Sequence, residues 1–298
     1  MIEKKLYNTT FTFLNMEPQR THTLMRRHPQ WGRVFLTVTL VILGTSIAQD
    51  RGSASLQSHA AAPLPANALL SVVNHPNIRS DHQILLSNTI RALPGQCQAS
   101  LRNLYVRYDR PNERGLAGKG TIILSGNVRN AELRALFVHE FGHITDLGCL
   151  SGTPESGPSL FHDGPEIIFQ NDPSTSFYRI SWVQETTRKL GSSPEDFVSG
   201  YAAKDAFEDF AETFAYFVLQ PEAFKTRAQG NIALQKKWTW MQEYVFQKTP
   251  SIASGKPWNN VLPWDVTKIF YTWHGEPKNV VYSLHASASN PRRPVDSQ

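Results

Sequence analysis

The sequence predicts an α+β fold that is mostly helical, with a small mixed β-sheet packed on a central buried helix. Strand-like runs rich in β-branched residues fall between residues 101 and 126. Longer segments before and after them carry apolar residues at helical spacing. With 298 residues, 40% of them hydrophobic, the chain is long enough to bury a substantial core.

The first 48 residues are predicted to form an export signal. They hold six of the 30 Lys and Arg but only two of the 25 Asp and Glu, and an uncharged run follows from Val34 to Ala48. Ser46 and Ala48 supply small residues at the −3 and −1 positions of a cleavage site. The run is shorter than the ~18 residues of a spanning helix, which favours a cleaved signal. An uncleaved N-terminal anchor is the alternative.

Charge outside this leader is nearly balanced, so the formal net charge of +5 belongs mostly to the leader. We therefore expect no nucleic-acid partner, and contact with a membrane only through the leader if it stays uncleaved. The predicted compartment is extracytoplasmic: secreted, periplasmic or tethered facing outside. Residues 49–78 are predicted to be a linker, residues 79–285 the folded domain, and residues 286–298 a disordered tail.

Cys97 and Cys149 are the two cysteines of the chain. An isolated pair in an exported protein favours a disulfide. Closing a loop of this size would stabilise the fold by roughly 4 kcal/mol in the chain-entropy model. Two buried free thiols are the alternative.

The elements are predicted from apolar periodicity and from Pro and Gly at their ends. The first half holds a helix from Ser80 or Asp81 to Leu93, strands over 101–110 and 119–126 with a turn between them, and the central helix over about 131–147. The second half holds a surface excursion over 148–176, a helix AFEDFAETFAYFVLQ capped by Asp205, and helices over 221–229 and 231–247. The central helix is apolar on more than one side, which is typical of a buried helix.

The central helix carries the sequence HEFGH, residues 139–143. His139 and His143 lie four residues apart, so both imidazoles point to one side and can share a tetrahedral zinc ion. Glu140 is turned about 100° from His139. From there it can reach a water as general base without binding the metal. The pattern predicts Zn²⁺ and a zincin-like fold.

A third protein ligand is expected, because catalytic zinc sites usually hold three. The metzincin pattern fails, since Asp146 and Cys149 occupy the positions of its glycine and third histidine. The aspzincin pattern fails because Gly157 stands where its aspartate belongs. A glutamate on a second helix, the gluzincin arrangement, remains, and AFEDFAETFAYF is the best candidate.

The segment YAAKDAFEDFAETF, residues 201–214, resembles the second active-site segment of the anthrax lethal factor-like metallopeptidases, which include the Pro-Pro endopeptidases. With HEFGH, the resemblance covers about 20 residues in two blocks. It implies that Glu208 binds the metal beside His139 and His143. It also implies active-site roles for Tyr201 and Glu212.

These implied roles are physically consistent. Glu208 and Glu212 share one helix face, so Glu208 would complete the metal shell while Glu212 accepts a hydrogen bond from a ligand histidine. Tyr201 would donate to the developing oxyanion; a packed tyrosine at a helix entry is the alternative. A solvated acidic face is the alternative for the glutamates, and Asp209 is expected at the surface or as a helix N-terminal charge.

The strand before the central helix is predicted to be an edge strand that holds an extended peptide by β-augmentation. Its substrate-facing residues would be Thr121, Ile122, Ile123 and Leu124, although any internal strand shows the same pattern. His162 and Asp163 are weighed as spare metal ligands. A lone loop histidine is more often unliganded.

The sequence therefore predicts an exported zinc metallopeptidase, an endopeptidase that acts on a peptide or protein substrate with Glu140 as general base. A deformylase is disfavoured by the export signal and because GCLS, residues 148–151, follows the histidine motif instead of preceding it. The remaining alternative is a catalytically silent exported binding protein that retains a metal-stabilised zincin fold. The intact Glu140 weighs against it.

Overall fold

Residues 72–110, 114–247 and 251–275 are described by the structure, a computed structural model of the chain. They all belong to one unit, Gln57–Gln298. The predicted leader, the predicted tail and linker residues 49–71 lie outside the described residues. Val73 and Ile78, at the end of the predicted linker, are buried in the core.

Helices and short strands alternate along the described chain. Helices α1–α7 are Ser80–Ala92, Gly95–Gln98, Asn130–His143, Pro173–Ser181, Ala206–Leu219, Pro221–Gly230 and Ile232–Trp240. Wider π-type turns extend α3 over Ile144–Cys149 and α7 over Met241–Phe246, and short 3-10 turns occur at Pro154–Ser156, Pro194–Asp196 and Val266–Lys268. Strands β1–β9 are Asn103–Arg107, Gly115–Ala117, Thr121–Ser125, Pro158–Asp163, Glu166–Phe169, Trp182–Gln184, Thr187–Arg188, Ala253–Gly255 and Tyr271–Trp273. This mixture confirms the α+β prediction. No helix within these described ranges has the length and apolar character that crossing a membrane requires.

A three-stranded sheet of order β1-β3-β2 packs on α3. β1 runs parallel to β3, and β2 runs antiparallel to it along the other side. Because β3 is paired on both sides, the prediction that Thr121, Ile122, Ile123 and Leu124 form an edge strand is wrong. Residues 115–117, predicted to be part of a turn, form the edge strand β2 instead.

Helices α3 and α5 pack so closely that backbone meets backbone. A Cβ at Gly142 would lie 2.9 Å from the Cα of Ala211, so a larger residue would push the helices apart. Beside this contact the rings of Phe141 and Phe214 are fully buried, with centroids 6.1 Å apart. Apolar burial therefore holds α3 and α5 at this short spacing.

A disulfide joins Cys97 in α2 to Cys149 at the end of the turn that follows α3. The predicted pairing is confirmed. Next to it, the Ser100 hydroxyl donates to the Gly148 carbonyl at 3.1 Å, so two links hold the chain just after the second histidine. The predicted surface excursion over 148–176 contains the β4–β5 hairpin and the start of α4.

Candidate metal centre

Three side chains from α3 and α5 converge on one point. The Oε2 atom of Glu208 lies 3.4 Å from the Nε2 of His139 and 3.5 Å from the Nε2 of His143. The side chain of Asp205 fixes the start of α5, because it accepts hydrogen bonds from the backbone N–H groups of Phe207 and Glu208. The cap thus sets where the Glu208 carboxylate points, and it confirms the predicted helix start.

The Glu208 carboxylate shows that these residues fit a metal ion. Its Oε2 is buried without a hydrogen-bond partner, since separations of 3.4 Å and 3.5 Å from the imidazoles exceed the ~2.7–2.9 Å of a charge-assisted hydrogen bond. Leaving such an oxygen unpartnered is costly. Two atoms bound at ~2.05 Å to one tetrahedral ion lie ~3.3 Å apart, which is close to the observed spacing.

Electrostatics at this point favour charged side chains despite their burial. Burial alone would raise the pKa of Glu208, but attraction to His139 and His143 lowers it well below its usual range. Burial alone would lower the pKa of His139, but Glu208 and Glu212 raise it. The carboxylates therefore attract positive charge, as a cation-binding site requires.

Glu140 lies beside the two histidines and against the β2 backbone at Gly115. Ligand atoms of His139, Glu140 and His143 all lie within 4.8 Å of one another, so Glu140 also competes for a metal. Glu208 is the stronger candidate for a third ligand, because its Oε2 is within 3.5 Å of both imidazole nitrogens and has no hydrogen-bond partner. Glu140 would then be free for proton transfer.

Glu212 is fully buried and anchors His139. Its Oε1 lies 2.9 Å from the Nδ1 of His139, so this nitrogen donates to the carboxylate and the Nε2 on the other side of the ring faces Glu208. Its Oε2 accepts from the Ser199 hydroxyl and, at 3.0 Å, from the Val266 backbone N–H. The contact expected for Glu212 is therefore present, with two supporting groups that the sequence did not reveal.

Tyr201 lies over the same centre. Its phenol donates to the Oε1 of Glu208 at 2.9 Å, and its ring centroid is 6.2 Å from that of His139. Burial and the neighbouring Glu208 raise the pKa of Tyr201 above its ordinary value, so the phenol remains a protonated donor at neutral pH. Its position is compatible with the expected role near the substrate carbonyl.

The expectation that Asp209 is a surface or helix-terminal charge is wrong. It is fully buried, accepts from the Trp182 indole at 2.9 Å and pairs with the buried Lys237 at 2.7 Å. This ion pair joins α5 to α7 immediately behind Glu208. Short-range sequence patterns do not reveal this pair, because Lys237 lies 28 positions away from Asp209.

An ion network at the rim connects β2, α3 and the turn after Trp264. The two terminal nitrogens of Arg114 contact Asp265, Glu132 and Thr267, and Lys268 pairs with the same Glu132. The network supports the turn whose backbone binds Glu212. Charged residues of this kind carry no distinctive sequence pattern.

A cavity of about 240 Å³ opens beside the candidate metal centre. Its walls include Arg114, Leu136, His139, Glu140, Tyr201 and Trp264. His162 and Asp163 are elsewhere, on the β4 strand. Within the described ranges, they belong to no group of three or more potential metal ligands.

Comparisons of the chain with protein-family models, with curated proteins and with solved structures found no match. The centre brings together the expected ligands His139, His143 and Glu208 with Glu140 and Glu212, whereas the spare candidates His162 and Asp163 lie outside it.

Proposed function

We propose that this chain is an extracytoplasmic zinc-dependent endopeptidase of the gluzincin type. His139, His143 and Glu208 would hold the ion, and a bound zinc supplies Lewis-acid polarisation of the scissile carbonyl and of water. The observation that carries the proposal is the meeting of the unpartnered Glu208 Oε2 with two imidazole nitrogens. The mixed sheet packed on α3 supports a zincin-like fold.

The residues around the ligands have distinct chemical roles in this proposal. Glu140, beside the ligands and not needed as one, accepts a proton from the attacking water and passes it to the leaving amine. Tyr201 donates its phenolic hydrogen to the carbonyl oxygen as that oxygen gains negative charge. Glu212 keeps His139 in one tautomer and orientation. These placements also support the resemblance to the anthrax lethal factor-like metallopeptidases.

An extended substrate would lie along β2 in place of β3. β2 is the edge of its sheet, and its Gly115 lies against the carboxylate of Glu140. A peptide paired with this edge therefore passes directly over the general base. The disulfide between Cys97 and Cys149 supports an oxidising compartment, in agreement with the export signal predicted in residues 1–48.

The experiment that tests this function uses Glu140→Gln. The amide keeps the shape of the side chain but cannot accept the proton, so we expect full zinc content and loss of hydrolysis by at least about 100-fold. Zinc is measured by elemental analysis and hydrolysis with a quenched-fluorescent peptide library. Glu222→Gln, at an exposed position on α6, is the matched control and should match the wild type.

Three outcomes separate the alternatives. Zinc-replete wild type that cleaves no library peptide favours the catalytically silent binding protein. Glu140→Gln with wild-type turnover contradicts the assignment of the general base. Loss of zinc in Glu140→Gln would instead identify Glu140 as a metal ligand.

A further inference from the structure

Trp264 is unusual among the tryptophans of the described ranges. Trp182 and Trp240 are buried and Trp238, Trp258 and Trp273 are partly buried, whereas Trp264 is 72% exposed. Tryptophan is among the most buried residues on average. An exposed indole on the wall of the cavity beside Glu140 therefore requires an explanation other than core packing.

The Trp264 ring is exposed yet firmly positioned. The backbone carbonyl of Trp264 accepts a hydrogen bond from the Tyr201 N–H at 2.7 Å. The backbone carbonyl of Pro263 accepts one from the Gly200 N–H at 2.8 Å. The indole packs against Gly200, where a Cβ would come within 2.6 Å of it. Two residues further on, the Val266 N–H binds Glu212. The main chain that carries Trp264 is thus tied to the candidate metal centre on both sides of this residue.

Most polar atoms around this indole already have partners, and the Nε of Arg114, which has none, is buried. The terminal nitrogens of Arg114 contact carboxylates and a hydroxyl, and Glu212 is bound by three groups. Recognition at this wall therefore falls to the indole surface, which contributes apolar contact area.

We propose that Trp264 is a specificity-determining residue that selects substrates with a bulky apolar side chain near the scissile bond; this rests on the proposed peptidase function. The ring centroid of Tyr201 lies 6.2 Å from that of His139 and 6.5 Å from that of Trp264. An extended peptide advances ~3.3 Å per residue. The selected side chain therefore lies within about four residues of the cleaved bond.

The experiment compares Trp264→Ala and Trp264→Phe with the wild type. The substrates are a positional-scanning library of blocked peptides whose varied positions carry Phe, Leu, Ser or Lys. At one of the varied peptide positions, we expect Trp264→Ala to lower kcat/KM at least about tenfold for peptides that carry Phe or Leu. For peptides that carry Ser at that position, kcat/KM should fall less than about twofold. Trp264→Phe should restore most of the preference. Phe270→Ala, at an exposed aromatic residue that does not line the cavity, should retain the wild-type profile.

A measurement of peptide binding distinguishes a failure of this proposal from a failure of the proposed peptidase function. Calorimetry with the Glu140→Gln chain, with and without Trp264→Ala, measures affinity for the same Phe and Ser peptides without turnover. A Phe preference that disappears with Trp264→Ala supports the indole contact, even if the wild type cleaves nothing. An equal loss for all peptides, an unchanged profile in the folded variant, or a wild-type preference for Lys peptides would overturn it.

Discussion

Two kinds of chain segment form the candidate metal centre, and they are held in different ways. The proposed ligands lie on helices α3 and α5, which apolar packing and a backbone contact keep together. The groups that orient those ligands lie on irregular segments around Ser199, Tyr201 and Val266, which individual hydrogen bonds hold in place. Ligand position therefore follows from local helix geometry, whereas ligand orientation depends on contacts between distant segments.

The largest effect is expected from replacing a proposed ligand that lies on a helix. Glu208→Ala removes the only proposed ligand from α5, so we expect zinc to fall well below one equivalent. Hydrolysis should fall roughly 1000-fold or more, because the metal supplies several kcal/mol of transition-state stabilisation. Elemental analysis and peptide turnover measure both, with Glu222→Ala on α6 as control. Full zinc content in Glu208→Ala would shift the third ligand to Glu140.

The disulfide tests whether helix packing alone keeps the histidines in place. Replacing both Cys97 and Cys149 by Ser should lower the free energy of unfolding by roughly 4 kcal/mol, since the loop between them spans 52 positions. Zinc affinity of the folded variant should change less than threefold, because the α3–α5 contact is untouched. Urea denaturation and a competitive zinc titration measure the two. A large loss of zinc affinity would show that the helices need this link.

The smallest expected effect comes from a loop residue. Ser199→Ala removes one of the hydrogen bonds to Glu212 but no ligand, so we expect zinc affinity to fall about tenfold. Ser192→Ala, whose hydroxyl contacts Asp196 away from the centre, is the matched control. Unchanged zinc affinity in Ser199→Ala would mean that loop contacts do not orient the ligands.

Sequence alone predicts the helical half of this site well. The predicted Asp205 cap and the start of α5 are present, and the i, i+4 spacing in HEFGH fixes the histidine pair without long-range knowledge. Glu208 required the family resemblance, because E-D-x-x-E on a helix is equally consistent with a solvated face. The burial of Glu212 and its contact with His139 distinguish the two.

Long-range pairing explains what sequence reasoning missed. The three-residue strand β2 lies in a stretch rich in turn residues and becomes a strand only by pairing with β3. A surface position is expected for Asp209 because it points away from the face that carries Glu208 and Glu212, yet Lys237 compensates its charge inside the core. The roles of Ser199 and Trp264 depend on where other segments pass, and short-range patterns do not encode that.

The close fit between Gly142 and Ala211 restricts how this chain can be made more thermostable. Glycine within a helix costs about 0.5–1 kcal/mol relative to alanine, so Gly142→Ala would ordinarily be an attractive substitution. Here the added methyl group would meet the main chain of α5, which cannot rotate aside as a side chain can. The local gain in helix propensity would be offset by displacing a carboxylate from two imidazoles, so folding stability and site geometry oppose each other at this residue.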